Sequence, residues 1–220
     1  QPWREIDWLQ QHCTLPFKSV AFADITATTF TRQISQLKQR QSVAGIRYIL
    51  DEQAEEILIS PSVQQHFTLL AETELSFDAQ LSLTDVQAIE HLIALANKHK
   101  TMRIIINHAG WPALNNDIEE QKKWTLNLQK LADYENIAIK LSGWEMSNRN
   151  WQLHHVATLI QDCLTILGDS RVMLASNFPL CLFSMSYADL WHTYSAIPNI
   201  SVQCFKKITF SNAQNWYKFS

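Results

Sequence analysis

Short apolar runs alternate with longer amphipathic stretches along the whole chain, and this alternation most constrains its fold. The runs cover residues 17–25, 45–50, 76–81, 103–108, 137–142 and 172–177. Each is rich in β-branched, aromatic or small apolar residues, as suits strands covered on both faces. Their starts recur about every thirty residues, the length of one strand–helix unit. Between them, residues 84–100 put Val86, Ile89, Leu92, Ile93 and Ala96 on one helical stripe, with Thr84 or Asp85 as N-cap. Residues 151–167 repeat the pattern with Val156, Leu159, Ile160, Cys163 and Leu164, and Gly168 supplies a stop. Stretches 62–74, 118–134 and 187–197 read as further helices.

Asn-Gly and Asp-Gly, the strong hairpin dipeptides, do not occur between any two runs, which argues for parallel strands joined by helical crossovers. An open dinucleotide-binding sheet is disfavoured, because the chain has only four glycines and no GxGxxG after a strand. The expected fold is therefore α/β, a (β/α)8 TIM barrel forming one domain over residues 1–220. Six units are visible where a closed barrel needs eight, and residues 3–13 read as a helix. The first one or two strands are thus expected to be missing. Open strand edges left by such a gap make a homodimer the natural rescue.

An apolar fraction of 46% and a charged fraction of 18% fit an ordinary soluble domain. Net charge is −3 with both signs interspersed, so no nucleic-acid face is implied. No apolar run approaches the roughly 20 residues needed to span a bilayer, and no signal peptide opens the chain. Cys13, Cys163, Cys181 and Cys204 are scattered without zinc-binding spacing, which reads as reduced thiols in a cytoplasmic protein.

A parallel barrel carries its active site at the C-terminal ends of its strands. Polar residues closing the apolar runs are Asp24, Arg47, Asp78 with Gln80, His108, Lys140 with Ser142, and Asn177. Residues two apart share a strand face. If the faces of Ile104–Ile106–His108, Ala138–Lys140–Ser142 and Met173–Ala175–Asn177 all point inward, His108, Lys140 and Asn177 converge on one mouth. Each has a structural alternative: His108 as a turn cap, Lys140 as an ion-pair partner of Asp78 or Glu145, Asn177 as a turn former. His12, His66, His91, His99 and His192 sit in helical patterns, and the adjacent His154 and His155 do not share a helix face. None is assigned a metal. No GxSxG elbow is present.

Several motifs occur together and in order: AGIRYIL (44–50), LSFDAQL (75–81), INHAGWP (106–112), ENIAIKLSGWEM (135–146), SRVMLASNFPLCLFSMSY (170–187) and SNAQNWYKF (211–219). From about residue 3 onward the chain resembles the amidohydrolase-related TIM-barrel hydrolases, in particular their sugar-lactonase and dicarboxylate-lactonase branch. The resemblance implies a hydrolase that opens a lactone by water attack. It makes His108 and Asn177 the catalytic positions and puts the family's substrate-meeting arginine on Arg47; Asp78, Gln80 and Lys140, from their strand ends, are expected to bind substrate with it. The implied partner is a small lactone or carboxylated sugar-like compound. The family's first-strand His-x-His pair has no counterpart here, which the resemblance explains as an N-terminal truncation. No cofactor is expected from this chain; a divalent metal such as zinc enters only with an upstream His-x-His. The family's last-strand acid falls on Asn177, whose amide cannot accept a proton at any relevant pH. His108 is then the strongest group for proton transfer or for polarising the scissile carbonyl. The same substitution supports an alternative, a catalytically disabled barrel serving as a binding or scaffold protein.

Overall fold

The six apolar runs form six strands of one parallel sheet, in the order in which they occur along the chain. A computed structural model describes residues 1–114 and 117–219. The strands are β1 (Ser19–Phe22), β2 (Val43–Ile49), β3 (Ser76–Gln80), β4 (Ile104–Ile106), β5 (Ile137–Leu141) and β6 (Val172–Leu174). Each is hydrogen-bonded to its sequence neighbour, so β1 and β6 have one strand partner each among the described residues. Sequential parallel order with helical crossovers is the TIM-barrel arrangement. A close strand approach is built in at Gly45, where a Cβ would meet Ser76 Oγ at 2.0 Å.

The crossovers carry α2 (Phe30–Lys38), α3 (Ala54–Ile59), α4 (Pro61–Ala71), α5 (Val86–Lys98), α6 (Ile118–Leu131), α7 (Trp144–Ser147) and α8 (Leu153–Leu167), after an opening helix α1 (Trp3–His12). The caps follow the sequence. The Asp85 side chain accepts from Ala88 N, and Gly168, at φ 79°, ends α8. On α5, Ile89, Leu92 and Ala96 are fully buried against the outer face of the sheet. Burying one such leucine or isoleucine contributes about 1.5–3 kcal/mol. No helix among the described residues is long and apolar enough to cross a membrane.

The register corrects one expectation about faces. Ile104 and Ile106 pair with Ile137 and Ile139, while Ile105 pairs with Ala138. The first four belong to the large outer core. Ile105, Ala138 and Met173 form a separate small cluster on the opposite, inner face. Lys140 therefore does not share a face with Ile104 and Ile106, and His108 reaches the mouth by another route. Three strands are also much shorter than their apolar runs: the first run yields only Ser19–Phe22, the fourth only Ile104–Ile106 and the last only Val172–Leu174.

After β6 the chain runs through α9 (Tyr187–Ser195), α10 (Val202–Lys206), a π-turn at Lys207–Ser211 and α11 (Asn212–Trp216). The last helix is fastened to residues just ahead of the strands. Asn212 Nδ2 donates to the carbonyls of Asp169 (2.6 Å) and Val172 (2.8 Å), and Trp216 Nε1 to that of Ser170 (3.0 Å). Arg103 Nη1 donates to the Trp216 carbonyl at 2.6 Å. The helix thus covers the N-terminal end of the sheet and leaves the C-terminal mouth for chemistry.

Candidate active site

Register aligns the inner-face side chains across the strands. Arg47 pairs with Asp78, Asp78 with Ile105, Ile105 with Ala138, and Lys140 with Met173. Residues so matched point from one side of the sheet, and alternation adds Gln80 and Asn107 to the same side. The structure therefore brings Arg47, Asp78, Gln80 and Lys140 onto one face.

Lys140 resolves to the ion pair with Asp78 rather than with Glu145. Its Nζ lies 2.8 Å from Asp78 Oδ2, and Asp78 is completely buried. Tyr217, which follows α11, completes the cluster: its hydroxyl donates to Asp78 Oδ2 at 2.8 Å and accepts from Lys140 Nζ at 3.2 Å. Burial and the Asp78 charge hold the Tyr217 phenol well above its ordinary pKa, so it stays a donor. Arg47 donates through Nη2 to Gln80 Oε1, whose amide in turn donates to Asp51 at 3.1 and 3.3 Å. Arg47 itself makes no ion pair among the described residues.

His108 lies beyond the end of β4 in a tight turn. His108, Ala109, Gly110 and Trp111 all have φ between 53° and 64°. Three of them carry side chains, and left-handed backbone costs such residues about 1–2 kcal/mol each. Surrounding contacts hold the turn in place. Trp124 Nε1 donates to the Ala109 carbonyl (2.7 Å), Leu83 N donates to that of Gly110 (2.8 Å), and a Cβ on Gly110 would lie 2.3 Å from Leu83 Cγ. The reversal redirects the imidazole, which the strand alone would send into the outer core. Its Nδ1 lies 3.2 Å from Ser142 Oγ, and the ring packs against Gly143 and Trp111. Burial, with the positive charges of Arg47 and then Lys140, pushes the imidazole down to about 4. At neutral pH His108 is uncharged, with Nε2 available to substrate.

Asn177 has left β6 and sits at φ 54°. Its Nδ2 donates to Glu145 Oε1 at 2.6 Å, and Glu145 is buried. Asp24 stands apart from the cluster, accepting locally from the backbone and hydroxyl of Thr26.

Sequence reasoning missed Asn107, Tyr217 and the engagement of Glu145. Asn107 is buried, and neither atom of its amide has a hydrogen-bond partner among the described residues; Nε of Arg47 is likewise orphaned. An unsatisfied buried polar group costs about 1–3 kcal/mol, and such groups concentrate where a ligand supplies the partner. Correct strand parity would have found Asn107, since it lies two residues after Ile105. Tyr217 and Glu145 reach the site only through tertiary packing.

Among the described residues no three His, Cys, Asp or Glu side chains lie close enough to share a metal ion. Two cations act on the imidazole of His108, and the strand-end residue at 177 is an amide. This donor set does not fit a divalent cation.

Comparison with known proteins agrees with the architecture. Over 172 residues the chain is 26% identical to an L-fucono-1,5-lactonase of Burkholderia ambifaria, a match covering 77% of this chain and 58% of that protein. The chain thus spans little more than half the length of that relative. A crystal structure of an amidohydrolase from Burkholderia multivorans with bound zinc superposes with a TM-score of 0.85 at 18% identity, covering 99% of this chain and 78% of that one. A structure from Pseudomonas putida, described as a 2-pyrone-4,6-dicarboxylic acid hydrolase, gives a TM-score of 0.79 at 16% identity, with coverages of 99% and 78%. At these identities the two structures speak for the fold alone. The amidohydrolase family model matches residues 5–219, and the chain belongs to the amidohydrolase family.

Proposed function

We propose that the protein hydrolyses a lactone, of a sugar acid or of a dicarboxylic acid, by attack of water on the ring carbonyl. One observation carries this reading: at the mouth, unpartnered polar atoms of Arg47 and Asn107 share a face with Lys140, beside a neutral His108. Such a set fits a small oxygen-rich molecule that develops negative charge on a carbonyl oxygen. Arg47, free of any ion pair among the described residues, offers the stronger charge toward an oxyanion or a substrate carboxylate. Lys140 shares its charge with Asp78, so it shapes the floor of the pocket. His108 serves either as hydrogen-bond donor to the carbonyl or as proton acceptor from water, depending on which ring nitrogen carries the proton. The name of the Burkholderia ambifaria relative supports the lactone class.

A panel of aldonolactones and dicarboxylate lactones, presented to the full-length protein and followed by acid release, tests this. Turnover well above a His108→Ala/Asn177→Ala control is expected; equal rates would overturn it. The amide at 177 favours a second reading, a binding barrel on a hydrolase scaffold. Saturable lactone binding without turnover would select that one.

A further inference from the structure

Among the described residues the buried carboxyl side chains are those of Asp78 and Glu145. Asp78 is neutralised by Lys140. Glu145 makes no ion pair there. One oxygen, Oε1, accepts from Asn177 Nδ2 at 2.6 Å; the other has no hydrogen-bond partner among the described residues. Glu145 also lies on the segment that seats His108. Ser142 touches the imidazole Nδ1, and Gly143 packs against the ring. Glu145 is thus a buried carboxyl side chain tied to the strand-end amide at 177 through one oxygen, with its other oxygen free to meet a ligand, on the segment that seats His108.

We propose that Glu145 is the general base of the reaction, oriented by the Asn177 amide. The inference rests on the lactone reading and names its proton acceptor. Water oxygen bonds to the ring carbonyl carbon, the carbonyl π pair moves onto its oxygen, and the water proton passes to Glu145. As the carbonyl re-forms, the bond to the ring oxygen breaks. That oxygen takes the proton back from Glu145, giving the hydroxy acid and regenerating the carboxylate. His108, with Nδ1 accepting from the Ser142 hydroxyl, donates from Nε2 to the developing oxyanion. Asn177 holds the base and does not replace it.

The test exchanges the two functional groups across the same hydrogen bond. Glu145→Gln is nearly isosteric and keeps an acceptor for Asn177. It is expected to lower kcat about 100-fold or more, with KM within about threefold. Glu145→Gln/Asn177→Asp, which moves the carboxylate to position 177, is expected to recover at least about tenfold in kcat. Circular dichroism and melting curves check that both variants fold. A single variant with kcat within about threefold of the parent would overturn the assignment while leaving lactone hydrolysis standing. So would a folded double variant no faster than the single one. Absence of turnover by the parent protein across the whole panel would overturn both readings together.

Discussion

His108 is uncharged at neutral pH because burial and two neighbouring cations resist its protonation, and this ties stability to pH. Its pKa is lowered to about 4 in the folded chain against an ordinary value near 6.5. Above pH 6.5 neither state binds the proton, so His108 contributes nothing to the pH dependence. Between pH 6.5 and 4 the unfolded chain takes up the proton and the folded chain does not. Stability therefore falls with acidification through that window, by up to about 3 kcal/mol from this group. His108→Gln should flatten the corresponding part of a urea-midpoint titration. An unchanged slope would show that other groups carry it. At the pocket floor the consequence concerns charge balance. Asp78→Ala leaves the Lys140 ammonium without its counter-charge and Tyr217 without its acceptor. Breaking such a pair costs about 3–5 kcal/mol when fully buried; with the Lys140 side chain about a quarter exposed, a loss of about 2–3 kcal/mol in urea denaturation is the expected outcome. Tyr217→Phe removes a single donor and should cost about 1 kcal/mol.

At the level of elements, the six strands and the longer helices were legible, because periodicity two and periodicity 3.6 are written in the apolar pattern itself; α2, α3, α7, α10 and α11 were not, being too short to write a full stripe. The α5 and α8 bounds fall within two residues of those read, and the Asp85 cap and the Gly168 stop follow from residue types at their own positions. The faces of β4 were not legible. His108 belongs by parity to the outer face and arrives at the inner mouth only because residues 108–111 reverse into left-handed backbone. That reversal depends on Leu83, Trp124 and Gly143, which come from other units of the fold and leave no local mark. Gly143, at φ 81°, is the most exacting of these contacts: a Cβ there would stand 2.8 Å from His108 Nδ1. Gly143→Ala should therefore cost about 1–2 kcal/mol for the backbone and displace the imidazole as well. A drop of about tenfold or more in lactone turnover is expected, larger than the stability loss alone explains at room temperature. Turnover equal to the parent's in a folded Gly143→Ala protein would mean that the imidazole position is not critical.

Across the whole molecule the inner face of the sheet is covered unevenly. On the β4–β6 side, Ala213, Trp216 and Tyr217 pack over Ile105, Ala138 and Met173. No local pattern marks this cover, since α11 closes on the sheet from the far end of the chain. On the β1–β2 side the same face ends in Phe22 and Ile49, which are 56% and 52% exposed. Register matches Phe22 to Arg47, and Ile49 lies two residues on, so both stand on the face that carries the site. An edge strand with large apolar side chains on one face recruits another surface, since unpaired backbone and exposed apolar area both favour association. The 220-residue chain is therefore expected to run as a dimer in multi-angle light scattering at micromolar concentration, joined along β1. Phe22→Lys/Ile49→Lys should shift it to the monomer mass without lowering its melting temperature by more than a few degrees, because neither side chain is part of the core. Lactone turnover per chain in that variant would show whether the partner also shields the mouth: a fall alongside dissociation means that it does. A monomer mass for the unsubstituted chain would remove the association outright.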